Sequence, residues 1–226
     1  MNQVTDQQII EILRKEAVPA LGCTEPVACA LACAKCKEVL GSVPERLDVL
    51  VSGNIYKNGM GVGIPGTGMV GLPIAAALGA VCGKSEYGLE VLKEVNVGDN
   101  LQRAKDMLGQ VTVSLKEDAP DKLYAEALAT KGNDTVKVII AHTHTNIVLV
   151  EKNGEEIFKR EFRLDTSKPE DKGPELSVKR IWDFVHEVDV KDIEFVLQGA
   201  EMNKAISAEG LNSEYGLQIG KTLKEN

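Results

Sequence analysis

The sequence predicts an α+β protein, in which an antiparallel β-sheet carries N-terminal helices packed on it and a helical tail begins a second, all-helical domain. Three observations carry this prediction. Helical periodicity dominates the start of the chain, period-two alternation dominates residues 111–162, and helical periodicity then returns. We place the α+β domain at 1–164, a polar, proline-containing linker at 165–176 and the start of the helical domain at 177–226.

Two helices are predicted at the beginning of the chain. Thr5 with Gln8 three positions later forms a capping-box pattern, and apolar residues follow on one face to about Ala17. The second helix is predicted to have Thr24 as its N-cap and to end at Gly41, a typical C-terminal signal. It is apolar almost all round, so we expect it to be buried in the core.

The rest of the chain supplies the sheet and further helices. Leu47–Ile55 is predicted to be a strand, the glycine-rich stretch up to Gly71 a loop, and Leu72–Val81 a short helix. An antiparallel meander is expected to follow, formed by Val111–Leu115, Leu123–Ala129, Val136–Ala141, Thr145–Glu151 and Glu156–Phe162. The tail is expected to contain helices at Val178–His186, Lys191–Ala208 and Glu214–Leu223. Apolar residues near its end have nothing after them to cover them, so either the last helix packs back on the protein or the polypeptide continues in a longer relative.

Composition limits the classes of partner. The chain has 226 residues and a formal net charge of −8, whereas nucleic acids and anionic membrane surfaces require concentrated lysine and arginine. No apolar run reaches the about 20 residues that span a bilayer, and the N-terminus does not resemble a signal peptide. We therefore expect a soluble, cytoplasmic protein that binds a small molecule or another protein, and not nucleic acid or membrane.

Cys23 is the leading candidate for a functional residue. The sequence Gly-Cys-Thr-Glu-Pro at positions 22–26 places it at the mouth of a helix, where the dipole and unpaired N–H groups favour a thiolate. Cys23 is thus a candidate nucleophile or metal ligand, and a loop cysteine without a role is the alternative. The chain has five cysteines, an odd number, and three lie at helical spacing, which argues against a disulfide framework.

Two other groups of residues are better explained as packed or cleft-lining side chains than as cluster or metal ligands. Cys29, Cys33 and Cys36 have the spacing of a radical-enzyme cluster motif, but they fall inside an alanine-rich helix, which favours small thiols packed in a core. His142 and His144 would share one face of a strand and could hold a metal. Because no third ligand is identifiable, two polar side chains lining a cleft are the favoured interpretation.

The glycine-rich stretch at 59–71 is a candidate anion site. It contains Gly-x-Gly-x-x-Gly twice, but a dinucleotide fold needs alternating strands and helices, and the hairpins after residue 111 argue against that. Glycines let backbone N–H groups approach a carboxylate or phosphate closely, and Thr67, Lys57 and Asn58 would add polar contacts. Taken singly, each of these residues is better explained as a turn residue.

Five stretches in order carry a family resemblance: Gly22–Pro26, Ser52–Met60, Gly63–Thr67, Ile74–Gly79 and His144–Asn146. Together they resemble the N-terminal part of the L-cysteine desulfidase family, the YhaM-type group that is related to the α chain of iron–sulfur L-serine dehydratases. The resemblance implies a lyase that converts L-cysteine to pyruvate, ammonia and sulfide at a [4Fe–4S] cluster, whose open iron acts as a Lewis acid on the substrate thiol.

The resemblance also implies which residues act. Cys23 matches one cluster ligand, and the other ligands belong to a later half that this sequence lacks, so the chain by itself is not expected to hold the cluster. Glu25 and His144 are candidates for proton transfer. The candidates for substrate binding offer polar side chains or backbone amides near Cys23: Thr24, Asn54, Lys57, Asn58, Gly63, Gly66 and Thr67.

The implied partners are a small-molecule amino acid, L-cysteine or L-serine, and a complementary C-terminal chain or a second copy of this one. Two alternatives to the lyase stay open. The chain could be one subunit of a two-chain L-serine dehydratase, or a non-catalytic amino-acid-binding module that lacks the cluster half.

Overall fold

The computed structural model describes residues 4–160, 176–214 and 218–225. They fall into two compact units, Ala20–Thr166 and a smaller unit made of Met1–Pro19 together with Ser167–Asn226. In the larger unit, helices pack on a six-stranded sheet, and the chain continues into helices, so the predicted α+β class is confirmed. Within the described ranges, no helix has both the length and the apolar character that a membrane crossing requires.

The elements follow one another along the chain with these bounds. The helices are α1 (Asp6–Glu16), α2 (Thr24–Leu40), α3 (Gly53–Gly59), α4 (Leu72–Val81), α5 (Asn100–Asp106), α6 (Val178–Glu187), α7 (Val190–Ile193), α8 (Val196–Asn212) and α9 (Ile219–Glu225). The strands are β1 (Arg46–Val51), β2 (Gly63–Ile64), β3 (Met69–Val70), β4 (Val111–Leu115), β5 (Tyr124–Lys131), β6 (Asp134–Ala141), β7 (Ile147–Lys152) and β8 (Glu155–Lys159). Short 3-10 segments occupy Ser85–Glu90 and Met107–Gln110.

The large sheet has the strand order β4-β1-β5-β6-β7-β8, and β2 and β3 form a separate hairpin. Strands β5 to β8 are the antiparallel meander that the sequence predicts. Strand β4 departs from the prediction because it pairs in parallel with β1 instead of beginning the meander. A parallel pair needs a long crossover, and the segment from α3 to α5 supplies it.

The segment after β1 is helical, which corrects the predicted strand Leu47–Ile55 and the predicted loop after it. Strand β1 ends at Val51, and Gly53–Gly59 forms α3. Ser52 begins the helix, since its hydroxyl accepts a hydrogen bond from the Ile55 N–H at 3.5 Å. This N-cap is a helix signal that the surrounding glycine and asparagine residues concealed.

Helices α2 and α4 form the centre of the larger unit, where α2 also packs on β5 and β6. Helix α2 is buried along most of its length, as its apolar composition predicts, and ends at a left-handed Gly41. Gly79 lies so close to Ala30 that a Cβ atom built on it would stand 2.2 Å from the Ala30 carbonyl oxygen. The cysteines Cys29, Cys33 and Cys36 are fully buried in this core, which confirms their interpretation as packed thiols.

The segments that make up the smaller unit differ from those of the predicted domains. Val4, Ile9 and Ile10, at and before α1, pack against Phe184 of α6, and Arg180 donates hydrogen bonds to the Val4 carbonyl oxygen at 2.6 Å and to the Asp6 carboxylate. Contacts therefore group α1 with the C-terminal helices, although the predicted 1–164 domain included it. The apolar face of a helix is visible in a sequence, but the distant segment that covers it is not.

The tail is helical as predicted, but the bounds of its helices differ. Helix α6 matches the prediction, whereas the predicted Lys191–Ala208 helix is divided into α7 and α8. Most of the predicted 165–176 linker, and residues 215–217 of the last predicted helix, lie outside the described residues.

The capping box of α1 gives a first testable prediction. Gln8 N–H donates to Thr5 Oγ1 at 3.2 Å, and Thr5 N–H donates to Gln8 Oε1 at 3.0 Å. Thr5→Ala removes the side-chain acceptor and should lower the free energy of unfolding of the smaller unit by about 1 kcal/mol. Urea unfolding followed by fluorescence of Trp182, the sole tryptophan, measures it. Thr5→Ser keeps the hydroxyl and is the matched control, and equal stability of the two variants would contradict the prediction.

Candidate functional site

Cys23 lies at the start of α2, as predicted, but Cys23 itself is the N-cap and the helix begins at Thr24. The prediction that Thr24 is the N-cap is therefore wrong. Gly22, with a φ of +80°, turns the chain into the helix beside Pro65 of the β2–β3 turn. A Cβ atom built on Gly22 would stand 3.1 Å from the Pro65 Cγ, so this approach to the glycine-rich hairpin favours glycine.

Glu25 links the Cys23 thiol to α3. The Cys23 Sγ donates a hydrogen bond to Glu25 Oε2 at 2.8 Å, and Asn58 Nδ2 donates to Glu25 Oε1 at 3.0 Å. A single carboxylate thus bridges a thiol at the start of one helix and an amide on the next.

This contact changes the expected ionisation of Cys23. Burial raises the pKa of the Cys23 thiol, and so do the hydrogen bond to Glu25 and its negative charge, while the backbone N–H groups of Thr24 and Glu25 act in the opposite direction. The pKa of Glu25 is lowered, mainly by the hydrogen bond from Cys23. The dipole argument predicted a stabilised thiolate, but burial and the neighbouring carboxylate together outweigh the helix terminus, and the pair is a thiol with an ionised carboxyl group.

His144 approaches the same end of α2. Its Nε2 is 3.1 Å from the Thr24 Oγ1, and burial lowers its pKa, with the charge of Glu25 acting as a smaller, opposite influence. Near neutral pH the imidazole is therefore mostly uncharged and able to accept a proton.

The two histidines do not share a strand face, which corrects that prediction. Both follow the end of β6, and His142, with a φ of 69°, turns its Nδ1 to the Asp121 carboxylate at 2.6 Å. His144 instead faces Thr24. In the part of the chain that the structure describes, no group of three His, Cys, Asp or Glu residues is placed to hold a metal ion.

Helix α3 presents the polar residues that the sequence assigned to a loop. Asn54, Lys57 and Asn58 are exposed, at positions i, i+3 and i+4 that share one helix face. Ile55 and Gly59 are buried on the other side, and a Cβ atom on Gly59 would stand 2.3 Å from a Leu72 methyl carbon. The buried side thus fixes the helix against α4, and Asn58 reaches Glu25 from the exposed side.

The glycine-rich hairpin holds itself together through Thr67. This side chain is buried, and its hydroxyl donates to the Ile64 carbonyl oxygen at 2.7 Å and accepts a hydrogen bond from the Met69 N–H at 2.9 Å. The hydroxyl therefore serves the turn itself. Gly63 and Gly66 are exposed, and a side chain on Gly66, whose φ is +77°, would meet Asn96.

The sulfur and the hairpin meet in one place. Cys23 lines a small crevice together with Val62, Gly63, Ile64 and Pro65. The structure thus brings Cys23, Thr24, Glu25, Asn58 and His144 together beside the hairpin, with Asn54 and Lys57 on the adjoining helix face. Sequence reasoning missed the Asp121–His142 pair, for which the sequence carries no local signal because the two residues are brought together by separate loops.

The cysteines as a set do not fit a complete [4Fe–4S] site. All five lie within the described residues, and Cys29, Cys33, Cys36 and Cys82 are buried while Cys23 is partly exposed. Burial raises the pKa of Cys29 to about 12. Cluster ligands are thiolates that converge on the metal, so the described residues offer one such ligand.

Comparison with known proteins identifies relatives of about double the length. The chain is 45% identical to a UPF0597 protein of Parabacteroides distasonis over 99% of this chain and 52% of that relative. It is 45% identical to a UPF0597 protein of Dichelobacter nodosus over 99% of this chain and 52% of the relative. It is 46% identical to a UPF0597 protein of Oleidesulfovibrio alaskensis over 96% of this chain and 51% of that relative.

The chain therefore spans about half the length of the curated relatives it matches. No family model matches the sequence. No solved structure matches it either.

Proposed function

We propose that this chain supplies part of the active site of a lyase that degrades L-cysteine to pyruvate, ammonia and sulfide. Nearly the whole chain is similar to about half the length of each UPF0597 relative. The observation that supports it most is the Cys23–Glu25 contact at the start of α2, where Cys23 also lies against the glycine-rich hairpin. The resemblance to the YhaM-type L-cysteine desulfidases supports the choice of substrate.

The exposed face of α3 is the proposed site for the substrate carboxylate. Lys57 supplies a positive charge, and Asn54 and Asn58 supply amide donors one turn apart on the same face. Because Asn58 already contacts Glu25, an amino acid held here has its reactive carbons beside that carboxylate and His144. The exposed backbone of Gly63 lies across the narrow crevice that Cys23 lines.

Two groups are suited to the proton transfers. His144 is mostly uncharged near neutral pH because burial lowers its pKa, so it can accept the proton from the substrate Cα. The electron pair of that C–H bond forms the Cα–Cβ double bond as the Cβ–S bond breaks and sulfide leaves. The resulting aminoacrylate tautomerises to an imine, which water hydrolyses to pyruvate and ammonia.

Glu25 is suited to accept a thiol proton. It is ionised, and it already accepts a hydrogen bond from the thiol of Cys23 at 2.8 Å. A substrate thiol is the same kind of donor, and Glu25 could take its proton where an iron of the cluster would bind the resulting thiolate and stabilise the sulfide that leaves. The proposal assigns the remaining cluster ligands to a complementary polypeptide, since the described residues offer only Cys23.

The test uses this chain co-produced with the half of the Parabacteroides distasonis relative that it does not match. Under anaerobic conditions and with iron and sulfide supplied beforehand, washed complex given L-cysteine should release pyruvate and sulfide in equal amounts. A folded, iron-loaded complex that releases neither would overturn the proposal. Release of pyruvate from L-serine alone would favour the dehydratase, and binding without turnover would favour the amino-acid-binding module.

The carboxylate site gives a second, finer prediction. Lys57→Ala should raise KM for L-cysteine about fivefold, as expected for loss of a partly solvated ion pair of about 1 kcal/mol. Lys105→Ala, on the exposed side of α5, makes the same change in charge away from the site and should leave KM unchanged. Equal KM values in the two variants would remove Lys57 from the substrate site.

A further inference from the structure

Helix α6 carries a stripe of apolar side chains that stays exposed. Val178, Ile181, Trp182 and Val185 lie at positions i, i+3, i+4 and i+7, which share one face of a helix, and they are 46–86% exposed. The other side of α6 buries Phe184 and Arg180. We call these four exposed residues the α6 face. We propose that the α6 face is the docking surface for the polypeptide that corresponds to the uncovered half of the UPF0597 relatives.

The energetics of the smaller unit support a missing partner. Its cluster of buried apolar residues contains Val4, Ile9, Ile10 and Phe184, a small core for so many helices. The 17 residues of α8 include no buried side chain, and α9 has none among its described residues. Isolated helices of this length are marginal in water, and helices in proteins gain most of their stability by burying an apolar face.

Further exposed apolar side chains in the tail point the same way. Besides the α6 face, the exposed large apolar side chains of the tail include Leu197, Met202, Ile206 and Leu223. The four residues of the α6 face share one side of one helix, and contiguous exposed apolar surface marks an interaction site rather than ordinary surface. At the rim, Lys179 and Asp183 already satisfy each other as an ion pair at 2.5 Å. The matching surface on the partner is therefore expected to be apolar and uncharged at its centre.

The length of the relatives identifies the occupant. They have about as many residues again as this chain matches, and in each of them both parts belong to one polypeptide. In these relatives, the second half of the same polypeptide is therefore available to cover the surface that corresponds to the α6 face. This choice of partner rests on the proposed function, in which the uncovered half completes the active site.

Trp182 makes the proposal directly measurable, because it is the sole tryptophan of the chain and lies in the α6 face. The tagged full chain is produced alone and together with the uncovered half of the Parabacteroides distasonis relative. We expect the half to co-purify, and acrylamide quenching of Trp182, corrected with a Trp182→Phe blank, to fall at least about threefold as an exposed side chain becomes buried.

Matched variants locate the surface. Val178→Ser with Val185→Ser removes apolar contacts from exposed positions at little cost in helix propensity, and should weaken docking at least about tenfold. Glu187→Ser is the control, because Glu187 lies on the opposite side of α6 from Val178 and is exposed. Equal co-purification of both variants would overturn the assignment of the α6 face.

Two further outcomes decide between occupants. Burial of Trp182 in the chain alone, rising with concentration as a dimer forms, would overturn the proposal in favour of a second copy. If the separate half does not co-purify, a single-chain fusion of the two parts repeats the quenching test, and a Trp182 as accessible as in the free chain would overturn it.

Docking and catalysis fail separately. Protection of Trp182 without pyruvate release would contradict the lyase and leave the docking surface in place. Pyruvate release with an accessible Trp182 would contradict the docking surface and leave the lyase in place.

Discussion

Replacing Gly79 by alanine should lower the free energy of unfolding of the larger unit by about 3 kcal/mol. A Cβ atom at this position would stand 2.2 Å from the Ala30 carbonyl oxygen and 2.7 Å from the Ala30 Cα, both backbone atoms of α2. Since α2 is held between α4 and the sheet, neither helix can move without disturbing the buried core. The gain in helix propensity from glycine to alanine, about 1 kcal/mol at most, is smaller than this overlap.

Urea unfolding followed by far-ultraviolet circular dichroism measures the change. Gly61→Ala is the matched control in the same unit, because nothing lies within 4 Å of its added Cβ atom, and it should change stability by less than about 0.5 kcal/mol. A Gly79→Ala variant as stable as Gly61→Ala would show that α2 and α4 do not approach each other as closely as described.

Replacing Glu25 by glutamine should speed alkylation of Cys23 by iodoacetamide about tenfold near neutral pH, since a hydrogen bond to a charged group contributes about 1.5–3 kcal/mol. In the native protein, burial and the ionised Glu25 raise the pKa of the Cys23 thiol. Glutamine removes the charge and offers an amide donor to the thiolate, so the pKa of Cys23 should fall. Alkylation proceeds through the thiolate. As the pH is raised, the alkylation rate of the variant should therefore begin to increase at a lower pH than that of the native chain.

Mass spectrometry of the Cys23 peptide over a pH series gives the rate for this thiol alone. The other cysteines are buried and should react slowly in the folded chain. Glu86→Gln makes the same change in charge at an exposed position and should leave the rate unchanged. An alkylation rate in Glu25→Gln equal to that of the native chain would contradict the electrostatic role of Glu25.

Much of the fold could be predicted because its signals are local. The Thr5–Gln8 capping box, the Gly41 helix end and the β5–β8 hairpins depend on residues a few positions apart, and each appears in the structure. Helix α3 was missed because its glycine and asparagine residues also suit a loop, and the Ser52 cap was the single opposing signal. The parallel pairing of β1 with β4 was missed because it joins segments far apart in the chain.

The sequence by itself determined that Cys23 stands at a helix N-terminus with Glu25 two residues later. Only the tertiary structure decided that this carboxylate accepts hydrogen bonds from the Cys23 thiol and from Asn58. It also decided that His144, 120 positions away in the chain, contacts Thr24. The same holds for α1, whose apolar face is evident in the sequence but whose partner, Phe184, is not. The physical reason is that periodicity and capping are set within a turn or two of backbone, whereas ionisation and packing depend on which distant groups the fold brings near.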